Sequence, residues 1–173
     1  MKALVLPIVL LCSSVVTATA PFAAAQDKAP QTMRVDYYHT GNEKEEHFSI
    51  DRVVLEPLPW SGNPSKAIDD TNLGKYFFEV VDAASNRTLY SRGFSSIYGE
   101  WETTAEAKKM NRTFSESLRF PQIDKPATIV VKKRDARNVF RDLWSVTIDP
   151  ADKFVCLRFG ASARDPKVAG RAW

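Results

Sequence analysis

Cysteine and histidine are scarce in this sequence, and their scarcity excludes several kinds of site. The 173 residues include two cysteines and two histidines. Cys12 lies in an N-terminal segment that we expect to be removed, which leaves Cys156 without an intrachain disulfide partner. The helical H-E-x-x-H motif, which supplies two zinc ligands, is absent. We therefore expect a fold that is stabilised by packing rather than by disulfide bonds.

Glycine is also sparse, and it does not occur in a pattern typical of catalysis. The seven glycines form neither a phosphate-binding loop nor a G-x-S-x-G turn. Cys156 would need a histidine partner to act as a nucleophile, and it lies in an irregular segment, so we interpret it as an unpaired thiol. We predict that the chain has no catalytic, cofactor-binding or metal-binding residue of its own.

The longest apolar run lies at the N-terminus and is typical of an export signal. Lys2 precedes the run from Ala3 to Leu11, which is too short to span a bilayer. The alternative is a lipoprotein anchored at Cys12, but the preceding Leu11 is bulky where that processing requires a small residue. We favour a signal peptide and predict export to the periplasm or to the outside of the cell.

Two sites with small residues are candidates for signal cleavage, at 18–20 and 23–25. We prefer the second, because Pro21 would hinder cleavage after the first. The prediction is a signal peptide over 1–25 and a mature chain that begins near Gln26.

The positive net charge of the chain does not indicate a nucleic-acid partner. The formal charge of +3 arises from Lys2 and from four basic residues against one acidic residue in 156–173, so the part between is close to neutral. The basic run KKR at 132–134 is interpreted as a strand end that turns into solvent. No phosphate-binding surface is therefore expected.

Short β-rich runs separated by turn residues dominate the mature chain. MRVDYYHT, the dipeptide Gly41-Asn42 and EHFSIDRVVLEPLP predict a β-hairpin, in which Phe48, Ile50 and Arg52 alternate with His47, Ser49, Asp51 and Val53. Residues 57–72 predict a long loop or an extended edge segment. KYFFEVVD, AASNR and TLYSRGFS predict a second hairpin, and its first strand is apolar on both faces, as in a central strand.

Three further strands and one short helix complete the pattern. TFSESLRF alternates Phe114, Glu116, Leu118 and Phe120 with polar residues, and ATIVVKK and VFRDLWSVTIDP follow. TTAEAKK predicts a helix that begins at Thr103 or Thr104. No strand is followed by an amphipathic crossover helix, so the sequence predicts an all-β fold, an antiparallel β-sandwich of about seven strands with one short helix.

The stretch HTGNEKEEHF, residues 39–48, contains both histidines and three glutamates. Across a hairpin, His39 and His47 would be opposite or nearly opposite, and with one glutamate they would make a minimal open zinc set. Charged residues are also expected at a turn because it is exposed to water. We therefore favour a polar hairpin end over a metal site.

The aromatic residues offer a different hypothesis. Trp144 lies in the middle of a predicted strand and is interpreted as core, whereas Trp60 and Trp101 lie in predicted loops. With Tyr98 and other tyrosines they would form a docking surface for sugars or for another protein, although core filling is the alternative that we favour.

Several ordered segments together resemble the N-terminal domain of the IgA-peptidase family of zinc metallopeptidases. These segments are MRVDYYHTGN, EEHFSIDRVVLEPLPWSGNP, NLGKYFFEVVD, LYSRGFSSIYGEWETT, TFSESLRFP and DPADKFV, within residues 32–155. The resemblance implies a β-sandwich-like module that precedes the catalytic domain. It also implies that zinc and the H-E-x-x-H site belong to that later domain, so no catalytic or metal residue is carried over to this chain.

The last segment, CLRFGASARDPKVAGRAW at 156–173, is predicted to be an irregular tail. Our hypothesis is that the reading frame shifted or the gene was truncated near residue 155. A natural stand-alone module and a fragment of a longer protein are the alternatives.

We therefore expect a signal peptide at 1–25, a linker at 26–31, the peptidase-family domain at 32–155 and the tail at 156–173. The expected function is that of a non-catalytic accessory domain of a secreted bacterial metallopeptidase. Its partner would be the catalytic domain, which normally lies in the same chain. The alternative function is a stand-alone exported module that binds glycan or protein through exposed aromatic residues.

Overall fold

Two β-sheets and one short helix make up the structure, a computed structural model that describes residues 29–152 and the backbone of residues 156–158. The elements are β1 (Gln31–Gly41), β2 (Glu46–Pro59), β3 (Tyr76–Asp82), β4 (Thr88–Phe94), α1 (Ile97–Trp101), β5 (Arg112–Pro121), β6 (Ala127–Arg134), β7 (Phe140–Ile148) and β8 (Cys156–Arg158).

The strands form two four-stranded sheets that pack face to face. The first sheet has the order β5-β1-β2-β8 and the second has the order β4-β3-β6-β7. All pairings among β1 to β7 are antiparallel, and β8 is parallel to β2. The prediction of an all-β antiparallel sandwich of about seven strands is confirmed.

The core lies between the sheets and is built from the alternate residues that point inward. Burial of each large side chain contributes about 1.5–3 kcal/mol. The buried core consists of Met33, Val35, Tyr37, Val53, Leu55, Tyr76, Phe78, Val80, Tyr90, Leu118, Phe120, Ala127, Ile129, Val131 and Ile148. Trp144 is partly buried against this core and stacks on Phe48, with ring centroids 5.4 Å apart.

Strand β3 is central in its sheet, as its sequence predicts. It lies between β4 and β6, and Tyr76, Phe77 and Phe78 are all buried. Phe77 points away from the core and is covered by Phe140, at a ring distance of 5.1 Å. Both faces of β3 are apolar because the core covers one face and Phe140 covers Phe77 on the other.

The β1–β2 hairpin is also confirmed, but the alternation predicted for β2 does not hold along the whole strand. The register shifts by one residue between Asp36 and Tyr37 of β1, since Asp36 pairs with Arg52 whereas Tyr37 pairs with Ile50. Because side chains alternate with a period of two, the shift exchanges the faces of β2. Phe48 therefore points inward like Val53, although the alternation placed them on opposite faces.

The turn of this hairpin is held by Asn42. Its side-chain Oδ1 accepts the backbone N–H groups of Lys44 and Glu45, at 2.8 and 3.2 Å. The backbone N–H of Asn42 donates to the Glu45 carbonyl at 2.9 Å. An asparagine is suited to this place because its short side chain bonds to the backbone two residues ahead.

The helix lies at 97–101, so its predicted position at the start of TTAEAKK is wrong. Ser96 is the N-cap, and its hydroxyl accepts the backbone N–H of Gly99 at 3.0 Å. Residues 103–109 form consecutive turns instead. The burial of Tyr98 and Trp101 stabilises the earlier position, which local capping patterns alone did not indicate.

The loop predicted for 57–72 is confirmed for residues 60–72, whereas 57–59 belong to β2. The loop runs on to residue 75 and covers the edge of β4. The Ala67 carbonyl accepts the backbone N–H of Ser91 at 2.9 Å, and the Asp69 carboxylate accepts that of Gly93 at 2.8 Å. These contacts occupy hydrogen-bond donors that an exposed edge strand would offer to other chains.

The C-terminal segment is not irregular at its start. The backbone of residues 156–158 forms β8 and pairs with Val53–Leu55, so this part of the predicted tail is a strand. The remainder of the tail, the predicted signal peptide and the predicted start of the mature chain lie outside the described residues. Within the described part, no helix is long and apolar enough to cross a membrane.

Gly41 provides a test of the hairpin. A Cβ atom at this buried position would overlap the Glu45 carbonyl and lie 2.6 Å from the Tyr98 hydroxyl oxygen. We expect Gly41→Ala to lower the free energy of unfolding by about 2 kcal/mol, as overpacking does in a close-packed interior. Urea unfolding at fixed pH measures this change.

Ser115→Ala, on an exposed position of neighbouring β5, is the matched control and should change the free energy of unfolding by less than about 0.5 kcal/mol. Equal stability of Gly41→Ala and the native chain would contradict the close approach of Glu45 and Tyr98 to Gly41.

Candidate functional site

His39 is the centre of a buried polar cluster at the hairpin end of the sandwich. It lies on β1 and is fully buried. Its ring stacks between Tyr98 and Phe48, with centroids at 3.8 and 4.1 Å. His47 pairs with Thr40, the residue after His39, so its side chain points outward and is 72% exposed. The two histidines therefore do not share a metal site.

Both ring nitrogens of His39 contact carboxylates. Nε2 lies 2.8 Å from Oε2 of Glu46, and Nδ1 lies 3.3 Å from Oε2 of Glu116. Since carboxylates only accept hydrogen bonds, an imidazolium with a proton on each nitrogen satisfies both contacts. The arrangement is that of one buried cation between two anions.

Glu46 connects this cation to the opposite sheet. The Tyr76 hydroxyl donates to Glu46 Oε2 at 3.0 Å, and the Lys133 ammonium donates to Oε1. Lys133 also donates to Glu102 Oε2 at 2.8 Å, and Lys75 Nζ lies 2.5 Å from Oε1 of the same carboxylate. The chain of charges thus links β2 to β3 and β6.

Glu116 connects the same cation to the helix. Its Oε1 accepts the Ser96 hydroxyl at 2.8 Å and the backbone N–H of Tyr98 at 3.2 Å. Its Oε2 accepts the Tyr37 hydroxyl at 2.9 Å. Glu116 on β5 therefore positions the first turn of α1 over His39.

The electrostatics of the cluster favour its charged form. Burial is the largest influence on His39 and lowers its pKa, but hydrogen bonds and negative charge from Glu116 and Glu46 outweigh burial and raise the pKa. Burial also acts to raise the pKa of each carboxyl. The hydrogen bonds from His39 and its neighbours reverse this, so the pKa values of Glu46 and Glu116 are lowered.

The contacts of this cluster stabilise the fold. His39 is covered by Phe48 and Tyr98 and holds a carboxylate at each nitrogen, so it has no open position for a substrate proton. Among the described residues, no group of three or more His, Cys, Asp and Glu side chains is arranged to hold a metal ion. That the chain lacks site residues stays a prediction, because the described residues are only part of it.

The structure places the tryptophans differently from the docking-surface hypothesis. Trp101 is buried, packs on Tyr98 and Phe114, and donates its indole N–H to Glu106 at 2.8 Å. The assignment of Trp101 to an exposed surface is therefore wrong. Trp60 is half-buried against the core and packs edge-on against Tyr90.

The basic run 132–134 does not simply turn into solvent. Lys133 points inward to Glu46 and Glu102, and Lys132 pairs with Glu79 at 2.8 Å. Arg134 lies over the ring of Phe140, 4.1 Å from its centroid. That prediction is wrong, because alternation along β6 carries the middle lysine into the cluster.

One signal for the cluster was visible in the sequence. The alternation of β5 places Glu116 on the same face as Leu118 and Phe120, and a charge at a core-facing position requires a partner. The partners themselves were not predicted. Glu116 is 77 positions from His39, and Lys133 is 87 positions from Glu46.

The two histidines allow a matched test of pH dependence. The folded pKa of His39 is raised, so its contribution to stability is complete below its unfolded value of about 6.5 and is lost as the pH rises through the folded value. Glu46 and Glu116 have lowered pKa values, so their contribution is present above about pH 4.3 and is lost as the pH falls through the folded values.

We expect the contribution of the cluster to the free energy of unfolding to be greatest between about pH 4.3 and 6.5. His39→Gln should lower stability in this range by about 3 kcal/mol and remove the decline above it, because it removes the positive charge that lies between two buried carboxylates. His47→Gln, at an exposed histidine, should leave the profile unchanged. Urea unfolding across pH measures both, and a His39→Gln profile identical to that of the native chain would contradict the assignment.

Most of the chain matches a known protein family. Residues 25–145 match the family described as Peptidase M64 N-terminus, a match that covers more than half of the chain and includes every residue of the cluster. No curated protein matches the sequence. The resemblance to the N-terminal domain of the IgA-peptidase family is confirmed, and the chain belongs to the Peptidase M64 N-terminus family.

Proposed function

We propose that this chain is the non-catalytic accessory domain of an exported bacterial zinc metallopeptidase of the IgA-peptidase type. The observation that carries the proposal is the match of residues 25–145 to the N-terminal part of a peptidase family. The sequence contains no H-E-x-x-H motif, so zinc and the reacting groups would come from a separate catalytic domain.

The buried cluster supports a scaffolding role. Its charges are paired across both sheets and the helix, through His39, Glu46, Glu116 and Lys133. A polar network in a core whose charges are paired favours one rigid arrangement of the elements that it joins. A rigid module of this kind is suited to hold a neighbouring domain in a fixed place rather than to bind and release a substrate.

The N-terminal residues support export. Lys2, the apolar run and the small residues at 23–25 have the order of a signal peptide. We propose that the mature chain begins at Gln26 and acts in the periplasm or outside the cell.

The non-catalytic assignment predicts that the purified mature chain has no zinc-dependent peptidase activity. An unfolded protein and immunoglobulin A serve as substrates, with added zinc in one arm and a metal chelator in the other. A two-domain peptidase of the same family is the positive control. Hydrolysis by the chain itself that the chelator abolishes would refute the assignment.

The accessory role predicts that the peptidase domain depends on a domain of this kind. Deletion of the N-terminal domain from a two-domain family member should reduce the yield of soluble, active peptidase, because a domain surface that is normally covered becomes exposed. Unchanged yield and activity after the deletion would contradict an accessory role. The peptidase activity per folded molecule is measured on the same preparation. A lower yield with unchanged activity per folded molecule indicates a loss of folding rather than a loss of catalysis.

Export predicts a processed chain outside the cytoplasm. After expression of the full sequence in a bacterium, cell fractionation and N-terminal sequencing should find a product that begins at Gln26. Substitution of Ala23 and Ala25 by bulky residues should block this cleavage, whereas the same change at Ala18 and Ala20 should not. An unprocessed cytoplasmic chain would contradict the proposal.

A further inference from the structure

The strands that the family match covers begin and end at the same end of the sandwich, and the chain then returns to the first sheet as β8. At the entry, Gln31 pairs with Pro59 and Thr32 with Pro121. At the exit, Ile148 at the end of β7 pairs with Ala127. This exit end comprises the turn at 82–87 and the loop at 121–126, and it lies opposite the hairpin end that His39 and its partners close.

The exit end has an open cleft between the two sheets. One cavity of about 370 Å³ is bounded on one sheet by the turn after β3 and on the other by the loop after β5. A second cavity of about 280 Å³ beside residues 29–31 shares Gln122 and Asp124 with the first. The first cavity is lined by Asp82, Arg87, Leu89, Tyr90, Pro121, Gln122, Ile123, Asp124 and Lys125.

The walls of this cleft are held in place by backbone and side-chain bonds. The Ala83 N–H donates to the Pro126 carbonyl at 3.1 Å, and the Gln122 N–H donates to the Gln31 carbonyl at 2.8 Å. The Asp82 carboxylate accepts the Ser85 N–H at 2.6 Å and the Ser85 hydroxyl at 2.7 Å. The cleft is therefore a preformed surface, and a partner would not need to order it.

Two exposed cations stand on either side of the cleft. Arg87 belongs to the turn, and Lys125 belongs to the loop. Within the described residues, neither side chain has a hydrogen bond or a close ion pair, although the charge of Lys125 contributes to lowering the pKa of Asp82. The inward-pointing cations at the opposite end, His39 and Lys133, are both paired.

We infer that the exit end is the surface on which the family's peptidase domain docks, with acidic side chains of that domain facing Arg87 and Lys125. The inference rests on the proposed accessory function. The family match ends at residue 145, within β7, and β7 ends at Ile148 at the same end of the sandwich as the cleft, so the chain that follows β7 in a family member starts from this end. Short connections place consecutive domains at adjacent surfaces.

Binding in trans tests this surface. The mature chain is titrated against the isolated zinc peptidase domain of a two-domain family member by calorimetry. We expect saturable binding, and we expect the double variant Arg87→Glu and Lys125→Glu to weaken the affinity about tenfold or more, because it places like charges across the interface. The matched control is Lys108→Glu with Lys109→Glu, two exposed lysines at the hairpin end, which should leave the affinity unchanged.

The outcomes separate this surface from the proposed function. Binding that resists the exit-end reversal, or that only the control reversal weakens, would overturn the exit end as the docking surface and leave the accessory function standing. Absence of any binding by the native chain would overturn both. Circular dichroism of each double variant verifies the fold. Because all four substituted residues are exposed, both double variants should fold like the native chain.

Discussion

The pairing of the His39 imidazolium with two carboxylates is the constraint on which the hairpin end of the sandwich depends. A charge inside a protein is tolerated only when it is paired and hydrogen-bonded. Phe48 and Tyr98 exclude water from both faces of the ring, and a lower local dielectric strengthens each charged contact. Each carboxylate in turn needs further donors, and these come from the opposite sheet and from α1. One buried charge thus determines how β1, β2, β3, β5 and α1 meet.

The strands could be predicted from the sequence because their evidence is local. Alternation and turn residues lie within a few positions of one another, as in the β1–β2 hairpin and its Gly41-Asn42 turn. The face of β2 could not be predicted, since one shift of register within the strand exchanges inward and outward positions and leaves no mark in the composition. The helix was misplaced for a related reason. Its N-terminus is stabilised by Glu116, which approaches from another strand.

Only part of the buried cluster could be predicted from the sequence. Glu116 occupies a core-facing position of β5, which indicates that its charge needs a partner. That partner, His39, is remote in the chain. The polar hairpin end predicted for HTGNEKEEHF describes His47, which is exposed, whereas His39 of the same segment lies in the buried cluster. The two histidines differ in environment because neighbouring strand positions face opposite sides. The two ends of the sandwich also differ in how their charges are placed. At the hairpin end the inward-pointing charges are paired within the domain, whereas at the exit end Arg87 and Lys125 are exposed.

The loop at 60–75 gives the fold a tolerance to evolutionary change. It covers the edge of β4 with one carbonyl and one carboxylate, from Ala67 and Asp69, rather than with a complete strand. The later part of the loop is held as well, because Arg134 donates to the carbonyls of Asn72 and Gly74. Residues 61–65, which precede these anchors, can therefore lengthen or shorten at little cost in loop entropy while the edge of the sheet stays covered.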